Sequence, residues 1–233
     1  MRLNWAVTLI FCILVILAAK VVYAGSVGAP SYSIYDNRVA FSVSAGVAFG
    51  QRDVHVIKDD DIQDELNSSM FLSKINLSPA RFFEIYGLIG ASDLQLDDGD
   101  YKGHLAATWG GGIRPMIFPS FFKVSEDNKL FIALDGQYLT MSTEDEKISA
   151  TLHEAQASLI VAYVMKEQIA PYGGGKYDYV IAKFEGSKND LRGDLDFAVF
   201  VGCDYLVTRE VFFNVELSIF SETRIFAGVG YKY

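Results

Sequence analysis

The chain has 233 residues, of which 51% are hydrophobic, and its formal net charge is −9 at pH 7. This length suits one domain with a substantial core. The acidic balance lacks the basic surface with which proteins bind nucleic acids, and it therefore excludes a nucleic-acid partner.

The first residues have the features of a secretory signal peptide. Arg2 supplies a positive start, 5–19 is an apolar run without a charge, and small residues stand three positions and one position before Gly25. The apolar run is shorter than the roughly 20 residues that a membrane-spanning helix needs, which disfavours an uncleaved anchor. We therefore predict a signal peptide at 1–24 and a mature domain at 25–233.

The mature chain alternates between apolar residues and small or polar residues with the period of two that is typical of β-strands. Turn residues separate the alternating runs into ten predicted strands, and eight strands is the alternative count. The ten are 38–50, 69–77, 81–94, 102–116, 129–142, 150–165, 169–184, 192–207, 210–220 and 223–233.

The face opposite the apolar one indicates what the apolar residues contact. A soluble sandwich or a lipocalin-like barrel fills its solvent face with bulky polar residues. Here that face carries many Gly, Ala and Ser residues, with isolated charges such as Asp135, Glu154 and Arg224. Small residues and pairable charges are typical of the interior of a narrow barrel whose apolar face meets lipid. Since only a closed barrel satisfies strand backbones in lipid, we predict a single antiparallel transmembrane β-barrel.

The connections between the predicted strands alternate in length. The short joins are 78–80, 166–168 and 208–210, and the long or acidic ones are 51–68, 97–100, 143–147 and 186–190. Two connections depart from the alternation, since 117–128 is long and 221–223 is short. The alternation predicts an up-and-down topology with short periplasmic turns and longer outer loops.

The chain ends in an alternating aromatic strand, "RIFAGVGYKY", that includes Ile225, Val229, Tyr231 and Tyr233. With the signal peptide and the alternating strands, this terminus resembles the small bacterial outer-membrane β-barrel proteins over the whole mature chain. The resemblance implies location in the bacterial outer membrane, contact with its lipids and a last strand read by the barrel assembly machinery, with Tyr233 in place of the usual Phe. It implies little about activity, because this fold hosts adhesins, plugs, enzymes and narrow pores.

Three histidines, His55, His104 and His153, lie near the predicted outer rim beside acidic residues. A surface protease resembling the omptins would need a His–Asp pair and a second acidic pair that activates water. Histidines and acids at a rim are more often ordinary solvated residues, and a lipid deacylase would need a serine motif that the chain lacks. We assign no catalytic residue and expect a non-enzymatic protein, with a rim hydrolase as the alternative.

No cofactor or metal site is predicted. The acidic runs 59–61 and 97–100 lack the spacing of an EF-hand, and the glycine runs 110–112 and 173–175 precede neither a helix nor a Lys-Ser/Thr pair. Glycine within a strand often marks a bulge. The apolar phase shifts across 173–175, which predicts a bulge there.

The tyrosines are expected to form girdles at the two lipid–water boundaries. One girdle would hold Tyr163, Tyr172, Tyr205, Tyr231 and Tyr233, and the other Trp109, Tyr138, Tyr177 and Tyr179.

The predicted inward side chains mix both signs of charge. They are Lys74, Glu84, Arg114, Asp135, Gln137, Glu154, Gln156, Lys176, Asp178, Asp196, Glu216 and Arg224. Ten strands enclose little more space than eight, whose interior just fills, so we expect a side-chain-filled lumen. Inward glycines such as Gly46, Gly110, Gly112, Gly202 and Gly228 argue against a filled lumen, because they would leave open space if they stacked at one level.

The expected function is that of a monomeric barrel with a structural or surface-interaction role. A narrow pore is a competing hypothesis, because the inward glycines could leave an aqueous path. A soluble exported barrel that holds an apolar ligand is another, because alternation by itself does not distinguish a lipid-facing side from a core-facing one.

Overall fold

The computed structural model describes residues 40–56, 59–80, 82–96, 101–117, 122–125, 128–145, 149–166, 168–185, 191–192, 196–220 and 222–233. All regular elements among them are β-strands, and none of these residues forms a helix long and apolar enough to cross a membrane. The predicted signal peptide at 1–24 lies outside the described residues.

Thirteen strands lie in the described part of the chain. Ten are long: β1 (Ala40–Val56), β2 (Asp59–Ala80), β3 (Phe83–Ser92), β5 (Ala106–Pro115), β7 (Asn128–Glu144), β8 (Ser149–Met165), β9 (Ile169–Phe184), β11 (Asp196–Leu206), β12 (Val211–Phe220) and β13 (Glu222–Lys232). Three are short: β4 (Gln95–Leu96), β6 (Phe122–Ser125) and β10 (Leu191–Arg192).

The ten long strands close into one antiparallel barrel. Each pairs with the next long strand along the chain, and β13 returns to β1, where Phe226 lies opposite Ala48. Pairing of β1 with β2 completes the ring, while β6 pairs only with β7 and lies outside it. The predicted ten-stranded up-and-down barrel is confirmed, and the alternative count of eight is wrong.

The predicted loop at 51–68 is wrong, because β1 continues to Val56 and β2 begins at Asp59. The outer parts of these strands carry polar side chains on the exterior, such as Asp53, Glu65 and Asn67, so the apolar alternation stops there although the strands continue. The long connection at 117–128 likewise holds a short strand, β6.

The alternation of the side chains is that of a barrel with an apolar outside and a polar inside. Exposed apolar side chains surround the exterior and include Phe41, Ile75, Ile89, Trp109, Leu134, Val161, Val201, Leu217 and Val229. Buried polar side chains face the lumen and include Arg52, Glu84, Arg114, Asp135, Glu154, Lys176, Asp178, Glu216 and Arg224. The predicted inversion of the faces relative to a soluble barrel is confirmed.

The outer end of the barrel is a narrower ring than its middle. The β12–β13 hairpin ends at the level of Arg52, whereas β1 and β9 continue beyond it. Strand β10 fills the gap above the hairpin, since Leu191 lies opposite Val56 of β1 on one side and opposite Ala182 of β9 on the other.

The opposite side of this outer ring is closed by the segment between β3 and β5. Strand β4 pairs with β2, Gln95 bridges to Lys102, and the backbone N–H of His104 donates to the carbonyl of Glu144 at 2.9 Å. Eight segments therefore form what we call the outer ring: β1, β2, β4, 101–104, β7, β8, β9 and β10.

The outer ring is filled by apolar side chains, as expected for a ring of about eight strands. They include Val54, Leu66, Leu94, Tyr101, Met141, Leu152, Val180, Ala182 and Leu191, all at most 5% exposed. The Tyr101 hydroxyl donates to the Thr143 carbonyl at 3.0 Å, and burial raises the pKa of Tyr101 so that it keeps this proton. The outer mouth of the lumen is thus packed shut among the described residues.

Candidate functional site

Below the outer ring, six charged side chains meet inside the lumen. This cross-lumen cluster consists of Arg52, Glu154, Lys176, Asp178, Glu222 and Arg224, each at most 4% exposed. It contains three cations and three anions. Burial of unpaired charge is costly, and the equal numbers of opposite charges allow the cluster to be buried without a net charge.

Arg52 pairs with two acids of this cluster. Its Nη2 atom lies 3.1 Å from Asp178 Oδ2 and 2.8 Å from Glu222 Oε2. Along the shorter way around the ring, three strands separate β1 from β9, so the Arg52–Asp178 pair reaches across the lumen. Such a pair leaves little room for an aqueous path at its level.

Two other pairs of the cluster, Lys176–Glu222 and Arg224–Glu154, also join distant strands. Lys176 of β9 contacts Glu222 of β13 and lies 3.7 Å from Asp178. Arg224 of β13 contacts Glu222 and lies 3.7 Å from Glu154 of β8. The cluster therefore ties β1 and β13 to β8 and β9.

A second group of charges lies on neighbouring strands β2, β3, β5 and β7. Arg114 Nε donates to Asp135 Oδ2 at 2.8 Å, and its Nη1 lies 3.6 Å from Glu84 Oε1. The Tyr86 hydroxyl donates to Asp135 Oδ1 at 2.9 Å, while Lys74 Nζ lies 3.8 Å from the centre of the Tyr86 ring. The short distance to the ring is that of a cation–π contact.

The lumen towards the β8–β9 turn is filled by a polar group and an apolar cluster. The Tyr172 hydroxyl donates to Glu216 Oε2 at 2.9 Å and accepts from Asn214 Nδ2 at 3.0 Å, and Asn214 also donates to Asp204. The apolar cluster consists of Met116, Phe131, Ala133, Ile160, Ala162, Val164, Ala170, Tyr172 and Phe200.

Inward glycines lie beneath aromatic rings. Gly112 stands directly opposite Tyr86, and Gly202 directly opposite Tyr172. A Cβ atom on Gly202 would lie 2.3 Å from Cζ of Tyr172. The expectation that stacked glycines would leave room in the lumen is therefore wrong, since the rings occupy that room.

The predicted inward residues face the lumen as expected, except that the side chain of Asp196 lies outside the described part. Several further residues face the lumen without having been predicted to do so: Arg52, Tyr86, Tyr172 and Glu222. Continuing the first strand's alternation from Gly50 by two residues would have found Arg52.

The bulge predicted at 173–175 is absent. Pairing of β8 with β9 keeps one register from Ala162–Tyr172 to Gln156–Asp178. Tyr172 consequently points into the lumen and is 5% exposed, so its assignment to a girdle is wrong.

The other predicted girdle residues lie on the exterior. Their side chains are exposed or half-buried on outward-facing positions: Tyr163, Tyr205, Tyr231 and Tyr233 at one end, and Trp109, Tyr138, Tyr177 and Tyr179 towards the other. Rings of this kind favour the two lipid–water boundaries.

The candidate catalytic histidines do not form a cluster among the described residues. His153 lies on the exterior, with Nδ1 2.7 Å from the Tyr138 hydroxyl and 3.2 Å from that of Thr140. The side chain of His55 lies outside the described part, as do those of the two acidic runs. No group of three or more His, Cys, Asp or Glu side chains in the described ranges is placed to hold a metal ion.

His104 borders a groove on the barrel exterior, which we call the rim groove. The groove holds about 270 Å³ and is lined by His104, Leu105, Ala106, Ala107, Ser142 and Glu144. Within the described chain, the side chains of His104, Ser142 and Glu144 form no hydrogen bond with one another. The geometry therefore assembles no nucleophile–base pair there.

No family model and no curated protein matches the chain. Among solved structures, it is similar to the outer membrane protease OmpT of Escherichia coli, with 13% identity, 89% of this chain and 100% of that chain covered, and a TM-score of 0.46. It is also similar to an outer membrane channel of Pseudomonas putida F1, with 9% identity, coverages of 91% and 100%, and a TM-score of 0.47.

The attachment invasion locus protein Ail of Yersinia pestis is a third similar structure, with 15% identity, coverages of 84% and 99%, and a TM-score of 0.36. Identities and TM-scores this low carry no argument about this chain, so its assignment rests on its own geometry. The closed ring pairs each of the ten long strands on both sides, and its exterior is apolar while its charges face inward. The described chain thus folds as a transmembrane β-barrel of the kind found in bacterial outer membranes.

Proposed function

We propose that this protein is a non-conducting barrel of the bacterial outer membrane with a structural or surface-interaction role. The cross-lumen cluster is the observation that carries the proposal. Its pairs Arg52–Asp178 and Arg224–Glu154 join opposite parts of the ring at 3.1 and 3.7 Å, and the apolar outer ring lies above it. An ion would have to pass both barriers in series.

The number of strands supports the same function. Porins with water-filled channels use about 16–18 strands, whereas the interior of an eight-stranded barrel is just filled by side chains. This barrel has ten strands in its middle and eight segments at its outer end. Opening a path would require separating the buried ion pairs, which is costly in a dry interior.

The proposal includes the partners of the barrel. The apolar exterior would contact outer-membrane lipids, and the protein would act as a monomer. Its last strand pairs with β1 up to Lys232, and the Tyr233 N–H donates to the Phe41 carbonyl at 3.0 Å. This aromatic terminus would be read by the barrel assembly machinery.

Planar-bilayer recording of the purified, folded protein tests the proposal. Folding is first checked by heat-modifiable migration on a gel, and a 16-stranded porin recorded in parallel shows that insertion is detected. We expect no steady channel from this protein. Steady, ion-selective channels of large conductance would overturn the proposal and make a pore the leading function.

A further inference from the structure

The rim groove is produced by an irregularity in the pairing of β5 with β7. Thr108 lies opposite Met141, and the next backbone contact outward is the bond from His104 to Glu144. The three residues 105–107 therefore lie opposite only two residues, 142 and 143, of β7. An extra residue of this kind is a β-bulge, which re-aims the neighbouring side chains. Leu105 is turned to the exterior and is 69% exposed.

The groove lies at the boundary between the apolar belt and the polar rim. Trp109, which is 61% exposed, and Tyr138 stand on the exterior directly below it. Tryptophan and tyrosine favour the membrane–water interface. Above Tyr138, the exposed outward side chains of β7 are polar, as at Ser142 and Glu144. A molecule in the groove would therefore meet lipid tails below and lipid headgroups above.

The lining of the groove combines apolar and polar groups. Leu105, Ala106 and Ala107 supply apolar surface, while His104 supplies an imidazole, Ser142 a hydroxyl and Glu144 a carboxylate. The backbone hydrogen bond at 2.9 Å holds His104 beside Glu144. A carboxylate accepts hydrogen bonds from an ammonium group, and imidazole and hydroxyl groups donate to phosphate.

We propose that the rim groove binds one zwitterionic phospholipid that carries a primary ammonium group. The ammonium group binds Glu144, the phosphate accepts hydrogen bonds from His104 and Ser142, and the start of an acyl chain lies on Leu105 and Ala107. The volume of about 270 Å³ lies slightly below the roughly 300 Å³ at which small-molecule sites begin, so the groove would hold the headgroup and the start of one acyl chain and not the whole lipid. This inference rests on the proposed membrane location.

Photo-crosslinking in vesicles tests the site. The full chain is reconstituted in phosphatidylcholine vesicles with a small fraction of phosphatidylethanolamine that bears a diazirine near the start of one acyl chain. Labelled peptides are then mapped by mass spectrometry. We expect the label to concentrate on the peptides that contain 104–107 and 142–144, and unlabelled phosphatidylethanolamine to compete better than phosphatidylglycerol.

Two variants and a matched control sharpen this test. Glu144→Gln should lower the labelling about three- to tenfold, the usual effect of losing one charge-assisted hydrogen bond at a partly exposed site. Ala107→Trp should lower it by filling the groove. Glu185→Gln removes an exposed acid at the end of β9 and should leave the labelling unchanged.

Heat-modifiable migration of the same samples separates the two proposals. Inserted protein with label spread evenly around the barrel, or with labelling that Glu144→Gln leaves intact, would overturn the lipid site and keep the membrane location. Protein that folds but does not insert into the vesicles would overturn both.

Discussion

Arg52 of β1 and Asp178 of β9 form an ion pair across the barrel, with Nη2 and Oδ2 3.1 Å apart and both side chains at most 3% exposed. The two residues are 126 positions apart in the chain. Their pairing requires the ring to be closed and in register, because a shift by one residue would turn either side chain to the exterior. The pair therefore links the assembly of the ring to the filling of its lumen.

Removal of one charge from this pair is expected to destabilise the barrel strongly. Asp178→Asn leaves the cross-lumen cluster with an excess cation in a buried site, and we expect a loss of about 3–5 kcal/mol in the free energy of unfolding. Urea titration of the protein folded in detergent, followed by the fluorescence of Trp109, measures this loss.

Two further variants show whether charge balance is the cause. Asp53→Asn, on the exposed exterior of β1, should change the free energy of unfolding by less than about 0.5 kcal/mol. The double variant Arg52→Met and Asp178→Met removes one charge of each sign and should lose less than Asp178→Asn alone. Equal losses in the free energy of unfolding for Asp178→Asn and Asp53→Asn would contradict a stabilising role of the cross-lumen cluster.

A side chain at position 202 is expected to destabilise the barrel. Because a Cβ atom there would lie 2.3 Å from Tyr172 Cζ, Gly202→Ala must displace the ring and should lower the free energy of unfolding by about 1–3 kcal/mol. Gly87→Ala is the matched control, since no atom lies within 4 Å of a Cβ at Gly87. The same urea titration compares the two variants.

The Tyr172 ring itself provides the second test of this contact. When Tyr172→Leu is combined with Gly202→Ala, the total loss should be smaller than the sum of the two single losses, because the shorter side chain removes the clash. If the two losses in the free energy of unfolding simply added, the clash between Tyr172 and a side chain at position 202 would be contradicted.

The sequence allowed the membrane part of the barrel to be predicted well. The alternation of Val39 to Phe49 and of Leu195 to Tyr205 locates two strands and their lipid-facing sides, and similar patterns locate the other eight. Alternation depends only on which side of the sheet a residue occupies, so it is visible within a single strand.

The outer ring and the lumen contacts could not be predicted in the same way. In the outer ring the exterior is polar and the interior apolar, so the pattern of the membrane part reverses at Asp53 and Glu65 and predicts a loop where the strands continue. The contact of Gly202 with Tyr172 depends on the register between two strands, which no single strand reveals. The rim groove depends on a bulge at 105–107, which alternation alone does not distinguish from a strand end.

The lipid-facing side of β11 gives a third prediction. Val201 lies on the exterior and is 55% exposed, so Val201→Arg places a charge against acyl chains. We expect a loss of about 2–4 kcal/mol for a site near the middle of the membrane. Thr151→Arg, at an outward position near the polar outer end of β8, should cost about 0–1 kcal/mol. Urea-dependent folding into lipid vesicles measures both, and a larger loss at Thr151 would contradict the proposed position of the lipid belt.

The last residue gives the fourth prediction. The Tyr233 N–H donates to the Phe41 carbonyl at 3.0 Å, and its ring lies 5.4 Å from that of Phe41 and 4.8 Å from that of Tyr231, so the aromatic terminus completes the seam between the first and last strands. If the assembly machinery reads this terminus, deletion of Tyr233 should slow insertion in cells and leave protein in the periplasm.

Comparing insertion in cells with folding of the purified protein in detergent distinguishes recognition of Tyr233 by the assembly machinery from its contribution to the stability of the barrel. The deletion removes one backbone bond and one exposed ring, so purified protein should still fold into detergent with nearly the same yield. Tyr233→Phe keeps the ring and should be inserted in cells like the unchanged protein. An equal loss of folding in cells and in detergent would mean that Tyr233 acts only by closing the seam, and normal insertion after the deletion would remove any role of this residue in assembly.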